Sequence, residues 1–307
     1  MKFKITLLFA FLSTSVMNAQ LDADQEKRLK EINADTMDGW KFSGNTNLNL
    51  AQSAFFNWAA GGNNSYALNG LVSLRLSYKK NDFTWENNLT SGYGFLVRDD
   101  MGFIKTDDKF DIDSKFGQLA GKGWYYSALI NFKTQFADGF ATAGGTDVIS
   151  RFMAPAYFIG AIGIDKKFGS MYSLFFAPVS IKATFVMDKT LSDAGAFGVD
   201  PGKRMRSEAG AYLKLSFQKD IMKNVNFKTK ADFFSNYLRN PENIDITWES
   251  ILTFKVNKYI SATITASLIY DDDVKVGTHK DIDGNFDQFG PRTQFKEVLG
   301  IGLSHKF

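Results

Sequence analysis

From Gly39 to Phe307, large apolar side chains recur at every second position, with polar or small residues between them. A period of two places the two sets on opposite faces of a β-strand. Leu68, Val72, Leu74, Leu76 and Tyr78 alternate with Asn69, Ser73, Arg75, Ser77 and Lys79. Phe83, Trp85, Leu89, Tyr93, Phe95 and Val97 alternate with Thr84, Glu86, Asn88, Thr90 and Gly92. A strand predicted over 175–185 sets Phe175, Ala177, Val179, Ile181, Ala183 and Phe185 on one face, against Pro178 and Lys182. The closing segment, EVLGIGLSHKF, sets Leu299, Ile301, Leu303, His305 and Phe307 against Val298, Gly300, Gly302, Ser304 and Lys306. The chain contains about twelve such segments, an even number as in bacterial membrane barrels.

The connections predicted from the pattern alternate in length. Short turns fall near 79–82, 118–123, 165–169, 218–224 and 257–258. Longer loops fall near 53–65, 98–109, 138–154, 187–206, 239–243 and 271–292. Such alternation predicts a transmembrane antiparallel β-barrel with short periplasmic turns and longer external loops. Aromatics at strand ends, among them Trp40, Tyr78, Trp85, Trp124, Tyr126, Trp248 and Tyr259, suit two membrane interfaces. Aromatics make up 15% of the chain, yet the mean hydropathy is only −0.19, which fits alternating strands better than a helical core. There is no Cys, so disulfides and thiolate metal sites are excluded.

Residues 1–19 read as a separate element. Lys2 and Lys4 precede an apolar run over 5–11 and a small-residue stretch over 13–19. This is the pattern of a secretory signal peptide, with cleavage expected after Ala19. The whole chain has 36 Lys and Arg against 33 Asp and Glu. Without Lys2 and Lys4 the balance is 34 to 33, a net charge of +1. No basic field for nucleic acid follows from that balance. Residues 20–38 form a polar periplasmic lead-in, with Leu29 and Ile32 its large apolar pair in helical register. The barrel is expected over 39–307.

The first long loop reads AQSAFFNWAAGGNNSYALNG, residues 51–70. Together with the closing strand and the stretch over 180–191, it resembles an uncharacterised outer-membrane β-barrel family of the Bacteroidota, catalogued as a domain of unknown function. Its most specific piece is Asn57-Trp58-Ala59-Ala60-Gly61-Gly62. The resemblance implies a Gram-negative outer-membrane location and a barrel fold. It brings no catalytic or binding residues. Phe55, Phe56 and Trp58 need cover, in the barrel mouth, in the outer leaflet or on a partner. Gly61 and Gly62 permit a tight re-entry into the next strand.

The chemistry readable in the sequence is sparse. Only His279 and His305 are available as imidazole bases, and no Ser on the outward face near the external rim accompanies a strand-borne His. A non-enzymatic protein without a cofactor is therefore expected. Asp281, Asp283, Asn285 and Asp287 resemble the opening of a Ca²⁺ loop, although the Glu that completes an EF-hand is absent. A solvated Asp-Gly turn is the simpler reading. The predicted lumen carries mixed charge: Arg75, Glu86, Asp111, Asp113, Lys115, Lys133, Lys214, Lys228, Lys230, Asp232, Glu249, Lys255 and Glu297. Such a set either pairs and seals the barrel or lines a narrow pore. The functional expectation is a narrow channel for a small solute. The competing reading is a structural or accessory subunit of a larger outer-membrane assembly, and a barrel hydrolase is a third. Expected partners are outer-membrane lipid, the barrel-assembly machinery acting on the strand that ends at Phe307, and an envelope protein.

Overall fold

Twelve long strands carry the period-two pattern: β1 (Gly39–Ser53), β2 (Ser65–Lys80), β3 (Phe83–Arg98), β4 (Gly102–Gly121), β5 (Trp124–Thr134), β6 (Ala156–Phe168), β7 (Tyr172–Phe185), β8 (Met205–Met222), β9 (Val225–Asn236), β10 (Ile244–Lys255), β11 (Ile260–Tyr270) and β12 (Gln294–Lys306). The computed structural model describes residues 38–56, 63–169, 171–280 and 286–306. The expected signal peptide, residues 20–37 of the lead-in, Trp58, Gly61, Gly62, Asp281, Asp283, Asn285 and Phe307 lie outside the described residues. So do the side chains of His279 and Asp287.

Each strand pairs antiparallel with the next, and β12 returns to β1, so the sheet closes into a barrel. β1 pairs with β2 over its whole length, Gly39 with Lys79 through Ser53 with Ser65. The closing seam is shorter: residues 45–49 of β1 meet 302–306 of β12. Gly302 lies at this seam, where a Cβ would sit 2.0 Å from the Leu48 carbonyl oxygen. Only a glycine lets the two backbones approach that closely.

The side chains are arranged inside out relative to a soluble protein. Outward Val179, Ile162, Tyr126, Leu299 and Ile301 are each about two-thirds exposed, at 64–67%. Inward Asp111, Asp165, Thr184 and Glu208 are buried. Among the described residues no helix is long and apolar enough to cross a membrane.

Three expectations are corrected. The loop expected over 98–109 is mostly strand: β4 starts at Gly102 and pairs with β3 from Arg98 onward, and only 99–101 form the turn. The predicted face of β7 is split. Phe175 and Ala177 face inward, whereas Val179, Ile181, Ala183 and Phe185 face outward. The cause is a β-bulge at Pro178, which adds one residue to β7 against both neighbours; Ile162 pairs with Val179, but Ile164 pairs with Phe176. Proline has no N–H for the ladder, so an interruption there leaves no donor unpaired. Opposite the bulge stands Gly163, where a Cβ would meet the Phe176 carbonyl oxygen at 2.0 Å.

The third correction is Glu297, which faces outward. It pairs with Ala266 and shares parity with Leu299 and Ile301. Its neighbour Lys296 points in and bridges to Asp107 on β4 at 2.5 Å.

Candidate functional site

The lumen is the candidate site, and its two walls differ. Along β5 to β9, large side chains turn inward: Leu129, Ala161, Phe175, Ala177, Tyr212 and Phe234 form one buried cluster. The Phe175 and Tyr212 rings meet edge-on at 6.2 Å. The Tyr212 hydroxyl donates to Asp232 at 2.7 Å, so its polar end is satisfied inside the barrel. The opposite wall, β11 to β3, presents Ser261, Thr263, Gly300, Gly302, Asn47, Asn49 and Asn69. Asn47 Oδ1 and Thr263 Oγ1 are buried there without a hydrogen bond to described protein atoms.

Charged side chains pair in the lumen in three tiers. Nearest the short turns, Arg75 contacts Glu86 at 3.3 Å, Lys167 pairs with the same carboxylate, and Lys115 contacts Asp165 at 2.9 Å. At mid-height, Lys230 bridges Asp111 at 3.0 Å and Glu249 at 2.9 Å. Lys109 also pairs with Glu249, Lys214 reaches Asp113 at 3.4 Å, and Lys133 reaches Asp232 at 3.5 Å. β4 and β9 are not neighbours in the sheet, so the Lys230–Asp111 bridge spans the lumen.

The third tier lies under the long loops. Lys182 contacts Asp245 at 2.5 Å, Asp271 at 2.7 Å and Glu208 at 3.8 Å. Arg206 contacts Glu208 and Asp273, each at 3.1 Å, and Asp271 at 3.5 Å. Burial alone would raise the Asp271 carboxyl. The Lys182 ammonium, which also hydrogen-bonds to it, and the Arg206 guanidinium outweigh that effect and hold it below the usual carboxylate range.

A cap folds over this tier. The loop between β7 and β8 contains a short helix, α1 (Lys189–Asp193), whose N-cap Asp188 accepts from Leu191 N at 3.0 Å. Val186, Leu191 and Val199 pack with Ala154 of the β5–β6 loop. Arg151 ties the same two loops through Asp188 at 2.9 Å. Arg206 donates to the Gly198 carbonyl at 3.2 Å. Gly198 has φ +77°, and a Cβ there would lie 2.4 Å from the guanidinium. One arginine thus fastens the cap to the β11–β12 loop through Asp271 and Asp273.

The structure brings most of the expected lumen charges together: Arg75, Glu86, Asp111, Asp113, Lys115, Lys133, Lys214, Lys230, Asp232 and Glu249 all pair. Lys228 and Lys255 face the lumen, are exposed, and make no salt bridge to described residues. Glu297 lies outside the lumen, as described above. Phe55 and Phe56 are exposed, Phe56 at 75%, so neither folds into the mouth. The base of their loop is pinned by Phe55 N donating to Asn64 at 2.7 Å, and by Asn64 donating to Asp99 at 3.0 Å. Among the described residues no group of three or more His, Cys, Asp or Glu is placed to hold a metal ion.

The sequence reading missed the inward apolar cluster and the third tier. A usable signal existed for the cluster. Leu129-Ile130, Phe175-Phe176, Tyr212-Leu213 and Phe233-Phe234 are doublets of large residues, and in a strand one member of each must face the lumen. No comparable signal marks Arg206, at the start of β8, or Asp271, just past β11, which meet only once the barrel closes.

Comparison with known proteins gives two partial family matches. Residues 50–140 match a family described as a protein of unknown function (DUF3078), and residues 185–286 match a second, described as a protein of unknown function, DUF481. Each covers less than half of the chain. No curated protein matches it. Among solved structures, the COG4313 outer membrane channel from Pseudomonas putida F1 aligns at 9% identity and a TM-score of 0.40, over 89% of this chain and 97% of that one. The Escherichia coli outer membrane phospholipase A aligns at 10% identity and a TM-score of 0.34, over 89% and 93%. The translocator domain of the autotransporter NalP from Neisseria meningitidis aligns at 10% identity and a TM-score of 0.30, over 94% and 100%.

Proposed function

We propose that the chain is an outer-membrane β-barrel that passes a small solute through a lumen held shut at rest by ion pairs. The membrane part of this reading rests on the apolar exterior and its aromatic rim. Near the short-turn end, Trp40 packs on Tyr78 at 4.9 Å and on Trp85 at 5.7 Å, and Phe83 on Phe116 at 4.3 Å. Lys166 lies 4.9 Å over Trp124, and Lys258 lies 4.8 Å over Tyr259. Aromatic rings capped by cations suit the boundary between acyl chains and headgroups. The shortest barrel strands, β5 and β11, have 11 residues each, enough for a tilted crossing. With this orientation the short turns face the periplasm.

The observation that carries the channel reading is the bridging of the lumen by charge. A lumen filled with apolar side chains stays dry and closed, whereas ion pairs beside a polar wall exchange partners with water. The expected result in planar bilayers is brief conductance steps from the full chain, lengthened in Lys214→Gln, which breaks the bridge to Asp113. Silence in both proteins, with correct folding shown by circular dichroism, would sink the proposal.

Exposed Phe55 and Phe56 favour a second reading, an accessory subunit docked through the first long loop. It requires a stable partner that co-purifies with the native protein and is lost in Phe56→Ser. A native protein that purifies alone argues against it.

A further inference from the structure

The tiers of charge in the lumen are not balanced. Nearest the short turns, Arg75, Lys115, Lys167 and Lys228 face Glu86 and Asp165, a net charge of +2 within this group; towards the rim Lys41, Lys79 and Lys255 share the lumen-facing parity with Asp220, and the sign stays positive. At mid-height, Lys109, Lys133, Lys214 and Lys230 face Asp111, Asp113, Asp232 and Glu249, and the charges cancel. Under the loops, Lys182 and Arg206 face Glu208, Asp245, Asp271 and Asp273, a net charge of −2. The Lys296–Asp107 pair at that end adds nothing. Charge therefore runs from positive to negative along the barrel axis.

From this gradient we propose that the short-turn half of the lumen is an anion-binding vestibule, where Arg75, Lys228 and Lys255 receive a small multivalent oxyanion bearing phosphate or carboxylate groups. Lys228 on β9 pairs in register with Ile251 of β10, so Lys255 stands four residues nearer the turns, at the entrance, while Arg75 bears on Lys228 from β2. The like charges bearing on Lys228 are those of Lys230, Arg75 and Lys214, opposed in part by the Asp113 carboxylate. Arg75 meets Glu86 through one terminal nitrogen and keeps its side chain half exposed, at 51%. Its planar fork thus retains donors for an oxyanion. A multivalent anion seated between the walls replaces repulsion with attraction on both sides. The neutral middle tier and the negative loop tier oppose its passage further up, so it enters and leaves from the short-turn end. This goes beyond the channel reading and rests only on its barrel lumen: the anion is a ligand held at the short-turn mouth, not the solute that passes.

The test is calorimetric titration of the full chain in detergent at low ionic strength, with inorganic pyrophosphate and citrate as separate probes. They distinguish phosphate from carboxylate recognition. Binding of at least one is expected. Lys228→Gln and Lys255→Gln break no ion pair, and each should weaken binding roughly fivefold, the worth of one close charge pair in water. Added salt should weaken it further. Lys189→Gln, in the cap at the far end, should bind like the parent. Absence of heat with both probes overturns the proposal. So does binding that Lys228→Gln and Lys255→Gln leave unchanged. A barrel that binds but never conducts refutes the channel and leaves the vestibule standing; one that conducts without binding does the reverse.

Discussion

The two walls of the lumen solve the same packing problem differently. Along β5 to β9 the interior resembles a soluble core, with Phe175, Tyr212 and Phe234 packed on Leu129 and small alanines. Along β11 to β3 the interior is mostly Ser, Thr, Asn and Gly beside the charged Arg75, Glu86 and Lys296, and no large apolar cluster is buried there among the described residues. The first wall gains stability from apolar burial and close packing. The second gains little and leaves room beside its short side chains. Close packing and short side chains thus fall on opposite sides of one barrel, and the proposed solute path would follow the polar side.

The sharpest way to break this comparison is Phe175→Ala. If the first wall is a true core, unfolding in detergent should lose about 3 kcal/mol or more. A loss as small as that of a polar-wall variant would erase the distinction. Next is Gly163→Ala, whose added carbon meets the Phe176 carbonyl oxygen. It should cost about 1–3 kcal/mol and disturb pairing at the bulge, measured by denaturation and by amide exchange of β6 and β7. The clasp across the mouth gives a pH test. Asp271 sits below the usual carboxylate range in the folded protein. Its contribution is therefore full above the unfolded value of about 4 and fades as pH falls through the lower folded value. Protease cleavage within 187–204 should stay slow from neutral pH down to about 4 and rise only in stronger acid. Asn47→Ala should have the smallest effect, within about 1 kcal/mol in the same denaturation assay, because it removes a buried oxygen that lacks a partner.

The strand number, the antiparallel order and most of the facings were legible in the sequence, because alternation is a local property that each segment reports independently. Errors arose where a local rule met a neighbour. Pro178 broke the period in β7, and only the register with β6 and β8 reveals it. Glu297 shares parity with Leu299 and Ile301, so the alternation itself sets it apart from the lumen charges. The ladder of β3 and β4 ran on through Thr106 and Asp107, residues whose polarity suggested a loop. Of the candidate site, the lumen charges could be named but not paired. Partners such as Lys230 and Asp111 are 119 positions apart. Their meeting is set by closure of the barrel and not by any motif.

That closure has a kinetic meaning. Thr46 and His305, partners across the seam, stand 259 positions apart. Every other junction in the wall joins strands that are consecutive along the chain. The β1–β12 seam is therefore the most entropically demanding contact to form and spans the shortest paired stretch of backbone. A barrel built this way zips as a ribbon from hairpin to hairpin and locks last at residues 45–49. Pulled from its termini, it opens first along the same line.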